Sequence, residues 1–282
     1  MALPWKRKET QAEAEASAES TQRQLDRPTA DEIFEQVARN ARGEIERSAM
    51  SLSVSGVAGG LAMGLTPLAM SISVVNLGDN PLGHLVAYLL YPIGFMTVIL
   101  GRAQLFTENT LYPVALVLAE RRHLWGTLRL WGIVLCSNIA GAALFALLMA
   151  HTSAITLPML TAMSHFGVQA CIRPAPAIFW SGVLGGWMIA MVAWLVSGSH
   201  SITGSAMLIW LLAFVVGLGG FAHCIAASGE ILTAVFHGQL ALAQYFHWLL
   251  FAVCGNITGG VLMVTLLEYG QVKASDLPPS AS

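Results

Sequence analysis

The stretch GRAQLFTENT, residues 101–110, interrupts an apolar run that extends from residue 82 to residue 120. Arg102, Gln104, Thr107, Glu108 and Asn109 crowd into it. As one straight helix, residues 82–120 would extend about 58 Å at 1.5 Å per residue, whereas a bilayer hydrocarbon core is about 30 Å thick. A second run, 202–237, is also too long and carries its own polar cluster, GFAHCIAASGE, at 220–230. Each run is therefore read as two part-helices that meet at an irregular loop inside the membrane. Such a loop is tolerated where it lines a cavity within protein rather than lipid.

The rest of the chain agrees with a membrane setting. It has 282 residues, of which 55% are hydrophobic and 11% charged, against about 25% charged in soluble domains. Residues 1–47 hold eight of the fourteen Lys and Arg. Six hydrophobic segments follow, near 49–72, 82–120, 125–150, 176–197, 202–237 and 243–268, with a mixed connection over 151–175. The polar opening does not read as a signal peptide, and residues 1–28 read as a disordered tail rich in Ala, Glu, Ser and Gln. Thr29-Ala-Asp-Glu32 forms a capping box. It opens an amphipathic helix over 29–47 that lies on the membrane or covers a pore mouth, or else serves as a packing or solubilising helix. Residues 269–282 read as a second tail. Basic residues place both tails in the cytoplasm: twelve fall on inner segments, and only Arg173 falls on an outer loop. No stripe of basic residues and aromatics suggests nucleic acid. Of the four cysteines, the three in apolar runs read as small core residues, and no CxxC pair occurs.

The two halves repeat. SGVAGG at 55–60 recurs as SGVLGG at 181–186, and SNIAG at 137–141 recurs as GNITG at 255–259. Gly101-x-Ala103-Gln104 is matched to Gly220-x-Ala222-His223, which sets Gln104 opposite His223. Three spans per half is an odd number, so the second copy runs through the membrane inverted. The expected fold is an all-α membrane protein of six transmembrane helices. These form two inverted three-helix repeats, 48–150 and 176–268, with broken second and fifth helices and a site where the breaks meet.

The breaks carry the candidate chemistry. His223 can donate to an anion or exchange a proton near neutral pH, and a structural histidine bonded to a carbonyl is the other reading. Thr107, Asn109 and Ser228 sit where part-helices restart and can cap free N–H groups. Arg102 and Glu108 cost on the order of 3 kcal/mol each inside a bilayer, so an ion pair between them, or with Glu230, is expected in preference to the other reading, a substrate ligand. Asn138 and Asn256 occupy matching places in segments three and six, where they can brace the breaks. Tyr91, Phe95 and Phe106, with Leu105, are candidate constrictions.

Together, LFTEN, SNIAG with CGNITGG, and GFAHCIAA resemble the formate/nitrite transporter family over roughly residues 30–268. Within it, RAQLFTENT is most similar to an uncharacterised inner-membrane branch. The resemblance implies an aquaporin-like fold, a homopentamer with one pore per protomer in a bacterial inner membrane, and small monovalent weak-acid anions as substrates. It implies a central histidine at His223 and a loop threonine at Thr107, beside Leu105 and Phe106. Constrictions are implied at Tyr91, Phe95 and Val216. The chain also departs from the pattern. Family channels carry an acidic residue where Ala222 stands, an asparagine where Ala227 stands and another asparagine where Gly186 stands. Their acidic residue before Leu-Phe-Thr is Gln104 here, and Glu108 is unusual.

The expected function is passive or proton-coupled passage of a small weak-acid anion, which is stabilised or protonated beside His223, with no cofactor, metal or catalytic group. A pore for a neutral solute, with Glu108 and Glu230 excluding anions, is one alternative. An intramembrane serine hydrolase using Ser228 is the other.

Overall fold

The computed structural model describes residues 28–275. The tail expected over 1–28 lies outside the described residues except for residue 28, and so does the second half of the tail expected over 269–282. Within them, helix α1 spans Ala30–Glu46. Its start is the expected capping box: Thr29 Oγ1 accepts from Glu32 N at 3.3 Å, and Glu32 Oε2 accepts from Thr29 N at 2.7 Å.

The first segment is α2 (Ala49–Met63) and α3 (Leu65–Leu77), joined at Gly64. The second is α4 (Pro81–Leu90) and α5 (Ile93–Leu100), then a break containing a 3₁₀ turn at Glu108–Thr110, then α6 (Tyr112–Glu120). The third is α7 (Leu124–His151). The connection read as mixed contains a 15-residue helix, α8 (Leu157–Cys171), whose pattern of small, polar and apolar residues gives no clean periodic stripe. The fourth segment is α9 (Ala175–Ser197). The fifth is α10 (Ile202–Leu218), a break, and α11 (Ala226–Phe236). The sixth begins as α12 (Leu242–Gly260), passes through a π turn at Val261–Leu266 and ends as α13 (Leu267–Ser275), so helix replaces the start of the expected C-terminal tail.

Five helices or helix pairs among the described residues are long and apolar enough to cross a membrane: 49–77, 81–100, 124–151, 175–197 and 242–273. The fifth segment reaches that length only as its 17- and 11-residue pieces combined. Met50, Trp125, Trp180, Ile202 and Leu250 stand exposed on the outside, as a lipid-facing surface requires. Cys136 and Cys254, read as core residues, lie on that exposed surface, while Cys224 and Cys171 are buried.

The halves pack alike. α2 runs along α7 in the first, and α9 along α12 in the second. At each crossing a glycine sets the distance. A Cβ on Gly60 would lie 2.0 Å from Asn138 O, and one on Gly186 would lie 2.3 Å from Asn256 O. No side chain fits at position 186 in this packing, which accounts for glycine where the resemblance implies asparagine.

α1 lies across one face of the molecule. Its buried residues Val37, Ala38 and Ala41 pack on α6 and α9 through Leu111, Ala115, Leu116, Ala193 and Trp194. Of the readings offered for this helix, a buried face against α6 and α9 fits that of a packing helix. α8 covers part of the opposite face, and the two breaks lie between.

Candidate functional site

Both breaks begin with the same helix ending. Ala103 N donates to Val98 O at 3.0 Å and Arg102 N to Ile99 O at 3.2 Å; Phe221 N donates to Val216 O at 3.0 Å and Gly220 N to Gly217 O at 3.1 Å. This is the Schellman pattern, whose turning residue is left-handed. The turning residues are Arg102, at φ 58°, and Gly220, at φ 59°. They are 118 positions apart, the same offset that relates Asn138 to Asn256. The sequence match is thereby corrected by one residue. Gln104 stands opposite Ala222, and His223 stands opposite Leu105. The doublet Gly219-Gly220 misled it, because the lone Gly101 corresponds to the first glycine and not the second.

Each break is held by one asparagine and one serine. Asn138 Oδ1 accepts from Phe106 N at 2.9 Å, and its Nδ2 donates to Gly56 O and Gln104 O, each at 2.8 Å. Asn256 Oδ1 accepts from Cys224 N, and its Nδ2 donates to Gly182 O and Ala222 O, all at 2.8 Å. Ser55 Oγ accepts from Gln104 N at 3.1 Å, and Ser181 Oγ accepts from Ala222 N at 2.8 Å. These bonds satisfy backbone groups that a loop inside a membrane would otherwise leave without partners. The serines were missed in the sequence, although both open its repeated SGV motif.

His223 joins the breaks. It is fully buried. Its Nδ1 accepts from Ala226 N at 3.1 Å, which caps the start of α11. Its Nε2 lies 2.7 Å from Thr107 Oγ1. A neutral imidazole carries one N–H, so acceptance at Nδ1 puts the hydrogen on Nε2 and makes Thr107 Oγ1 the acceptor. The threonine's own hydrogen is then free to donate. Phe95 meets the ring edge-on, with centroids 4.8 Å apart, and Tyr91 lies beyond Phe95 at 5.6 Å.

A vestibule approaches this centre from each face. That on the α8 side has a volume of about 240 Å³ and is lined by Tyr91, Arg173, Val216, Gly220, Ala222 and Glu230, among others. That on the α1 side has a volume of about 120 Å³ and is lined by Asn40, Glu44, Arg102, Gln104, Leu105, Glu108 and Asn109, among others. Several lining residues are mates at the offset of 118: Ile99 and Gly217, Arg102 and Gly220, Gln104 and Ala222, Asn109 and Ala227, Tyr112 and Glu230. The vestibules are thus the same cavity built twice, and the α1-side copy is the more polar.

Several expected roles are corrected by this geometry. Arg102 and Glu108 share a vestibule but form no ion pair, and no ion pair of Arg102 occurs among the described residues. Glu230 lines the opposite vestibule and cannot reach Arg102. Thr107 makes no side-chain cap. Ser228 stands in the first turn of α11, as expected, but caps no N–H there: its hydroxyl donates to Cys224 O at 2.5 Å and contacts Tyr245 Oη at 3.0 Å. Among the described residues no imidazole hydrogen-bonds to it, as the base of a serine nucleophile would. Asn109 turns inward too, donating to Gln104 Oε1 at 2.8 Å and to Leu105 O at 3.0 Å. Arg173 was read only as an outer-loop charge. It donates to Gly220 O at 2.7 Å and to Ser181 Oγ at 3.3 Å, bracing the second break.

Comparison with known proteins agrees with this architecture. The model of the formate/nitrite transporter family matches residues 31–270. The inner membrane protein YfdC of Escherichia coli (strain K12) is 32% identical, over 86% of this chain and 78% of its own length. A solved FNT family ion channel superposes with a TM-score of 0.78 at 23% identity, over 85% of this chain and 98% of its own. A pentameric formate channel with formate bound gives 0.68 at 17% identity, over 80% and 98%. Two vestibules, two asparagine-braced breaks and the family match over most of the chain lead to one conclusion: this is a multi-pass membrane protein that belongs to the formate/nitrite transporter family.

Proposed function

We propose that the chain conducts small monovalent weak-acid anions of the formate and nitrite class through the path between the two vestibules, as one pore of a homopentamer. Its place is a bacterial inner membrane with both termini in the cytoplasm. The observation that carries this reading is the contact of His223 with Thr107 between the vestibules. It presents a hydroxyl hydrogen toward a path otherwise closed by Phe95, Phe106, Leu105 and Val216. An anion oxygen reaching Thr107 accepts that hydrogen, backed by the imidazole N–H. Burial of an unpaired charge is expensive, so the neutral acid crosses the apolar constrictions more cheaply than the ion.

Proton coupling is the second part of the proposal. A proton enters the ring at Nδ1, displacing the Ala226 N–H. The ring gives its Nε2 hydrogen to Thr107 Oγ1, and the threonine gives its own to the anion. The ring is left neutral with its hydrogen on Nδ1, and it returns to its resting tautomer by losing that proton and regaining one at Nε2 before the next passage. The acid crosses and releases the proton on the far side.

The test is uptake of labelled formate and of nitrite into proteoliposomes between pH 5 and pH 8. Uptake should rise with acidity in the native protein and lose that dependence in His223→Phe. An unchanged pH profile in the variant removes His223 from the mechanism. Uptake of neutral solutes in place of both anions would instead favour the neutral-solute pore.

A further inference from the structure

We propose that Arg102 is the anion-capture residue of the α1-side vestibule, a specificity determinant that holds an incoming monovalent oxyanion before it reaches Leu105, Phe106 and Thr107. This rests on the anion-conduction reading above.

The first observation is the backbone. Arg102 occupies the left-handed turning position of the Schellman ending, at φ 58°. For a residue with a Cβ that conformation costs about 1 kcal/mol or more. The same position in the other repeat is Gly220, the residue the conformation favours. Strain retained at one copy of a duplicated turn points to use of the side chain. The other two non-glycine residues with positive φ, Arg121 and His123, lie in the tight connection between α6 and α7, away from the vestibules.

The second observation is the charge around it. Arg102 is the one cationic side chain lining the α1-side vestibule, and it forms no ion pair among the described residues. The carboxylate of Glu44, on the same wall, is already taken by Arg47 at 2.9 Å. Glu108 adds a carboxyl with no ion-pair partner. Without Arg102 the vestibule would offer an anion no cation, only neutral amides and the carboxyl groups of Glu44 and Glu108, and any ionised carboxylate there would raise the cost of entry. The opposite vestibule offers a contrast: the guanidinium of Arg173 is engaged by Gly220 O and Ser181 Oγ. A guanidinium binds a carboxylate or nitrite through two N–H groups at once.

The third observation is the amide set beside it. Asn109 is 2% exposed, and its Oδ1 is buried without a donor. Its Nδ2 is spent on Gln104 Oε1, which leaves the Gln104 amide N–H groups as further donors on the wall.

The test uses the full chain. Arg102→Gly places at the turn the residue its mate already has, so loss of folding is not the expected result. Arg102→Lys keeps the charge. In Arg102→Gly the thermal midpoint should equal or exceed that of the native protein. The KM for formate or nitrite uptake should rise about tenfold, equal to about 1.4 kcal/mol, with little change in maximal rate. Arg102→Lys should stay within about threefold of native KM. Stabilisation of the solubilised protein by sodium formate, relative to sodium chloride at equal ionic strength, should be lost only in Arg102→Gly. Native KM and native stabilisation in Arg102→Gly would overturn the proposal while leaving anion conduction intact. A native protein that transports neither anion, yet shows Arg102-dependent stabilisation by formate, would overturn conduction while leaving capture intact. Loss in Arg102→Lys as large as in Arg102→Gly would overturn capture by charge.

Discussion

His223 Nε2 lies 2.7 Å from Thr107 Oγ1, across 116 residues of chain. The two breaks of the duplicated fold meet at this contact. Since Ala226 N donates to the other ring nitrogen, the neutral imidazole donates here and Thr107 Oγ1 accepts, which leaves the threonine's own hydrogen for another acceptor.

Thr107→Val keeps the shape and removes the acceptor. The imidazole N–H is then buried without a partner, at a cost of about 1–3 kcal/mol. We expect anion uptake to fall by at least tenfold. Thr107→Ser, which restores the hydroxyl, should keep most of the uptake. Radiolabelled formate flux into proteoliposomes measures both variants. Equal flux through Thr107→Val and the native protein would exclude the relay.

The asparagine braces make a prediction about stability. Asn256→Ala removes three hydrogen bonds and leaves Cys224 N, Gly182 O and Ala222 O without that partner. Asn256 is fully buried, so water does not replace the side chain cheaply. A loss of about 2–4 kcal/mol follows from leaving buried polar groups unpaired. Asn138→Ala should behave alike, because its three bonds are the same by repeat symmetry. Thermal unfolding of the solubilised protein should show both midpoints well below native. A native midpoint in either variant would mean that the break is held by other contacts.

How far the sequence could be read follows from where polarity stands against apolar surroundings. GRAQLFTENT and GFAHCIAASGE were visible because charged and amide groups are costly in a long apolar run. The repeated SGV(A/L)GG and N-I-(A/T)-G motifs were visible because close helix crossings restrict residues to glycine and small polar types. The register of the breaks was not visible. Arg102 occupies a left-handed position that letter matching assigns to glycine, and only backbone φ pairs it with Gly220. The absent Arg102–Glu108 ion pair was equally hidden, since residue types do not say which way two side chains leave a loop. α8 escaped notice because Pro158, Gly167 and its scattered polar residues obscure its period.

The docking of α1 predicts an acid response. Glu32 accepts from the backbone N–H and hydroxyl of Thr29, and these bonds hold its carboxyl below the usual carboxylate range. A carboxyl whose folded value is depressed stabilises the fold above its unfolded value, and that contribution is lost as pH falls through the folded value. Protection of the first turn of α1 against amide exchange should therefore be flat from pH 8 to pH 5 and fall at more acid pH. The other end is tied differently: Arg42 reaches Glu120 on α6 at 2.7 Å. Glu120→Gln should raise exchange over the last turns of α1 a few-fold at neutral pH, without changing the first turn. Exchange measured by mass spectrometry after pH jumps separates the two. Acid-insensitive protection at the first turn would show that the capping box does not hold it.

Phe95 gives the sharpest division between an anion path and a pore for neutral solutes. It is fully buried, it meets the imidazole edge-on with centroids 4.8 Å apart, and Tyr91 of the α8-side vestibule lies tilted against it at 5.6 Å. Phe95→Ala leaves a gap next to that vestibule, which water can fill, so the loss of stability should lie below the roughly 3–5 kcal/mol of a sealed core. The apolar constriction then becomes a wet opening, and an ion no longer has to shed its charge to pass. Formate flux should rise several-fold and lose its increase with acidity, while vesicle swelling with small neutral solutes appears where the native protein shows none. If instead the native protein already swells such vesicles and Phe95→Ala merely enlarges the solutes admitted, size and not charge sets the passage, and the weak-acid mechanism is excluded.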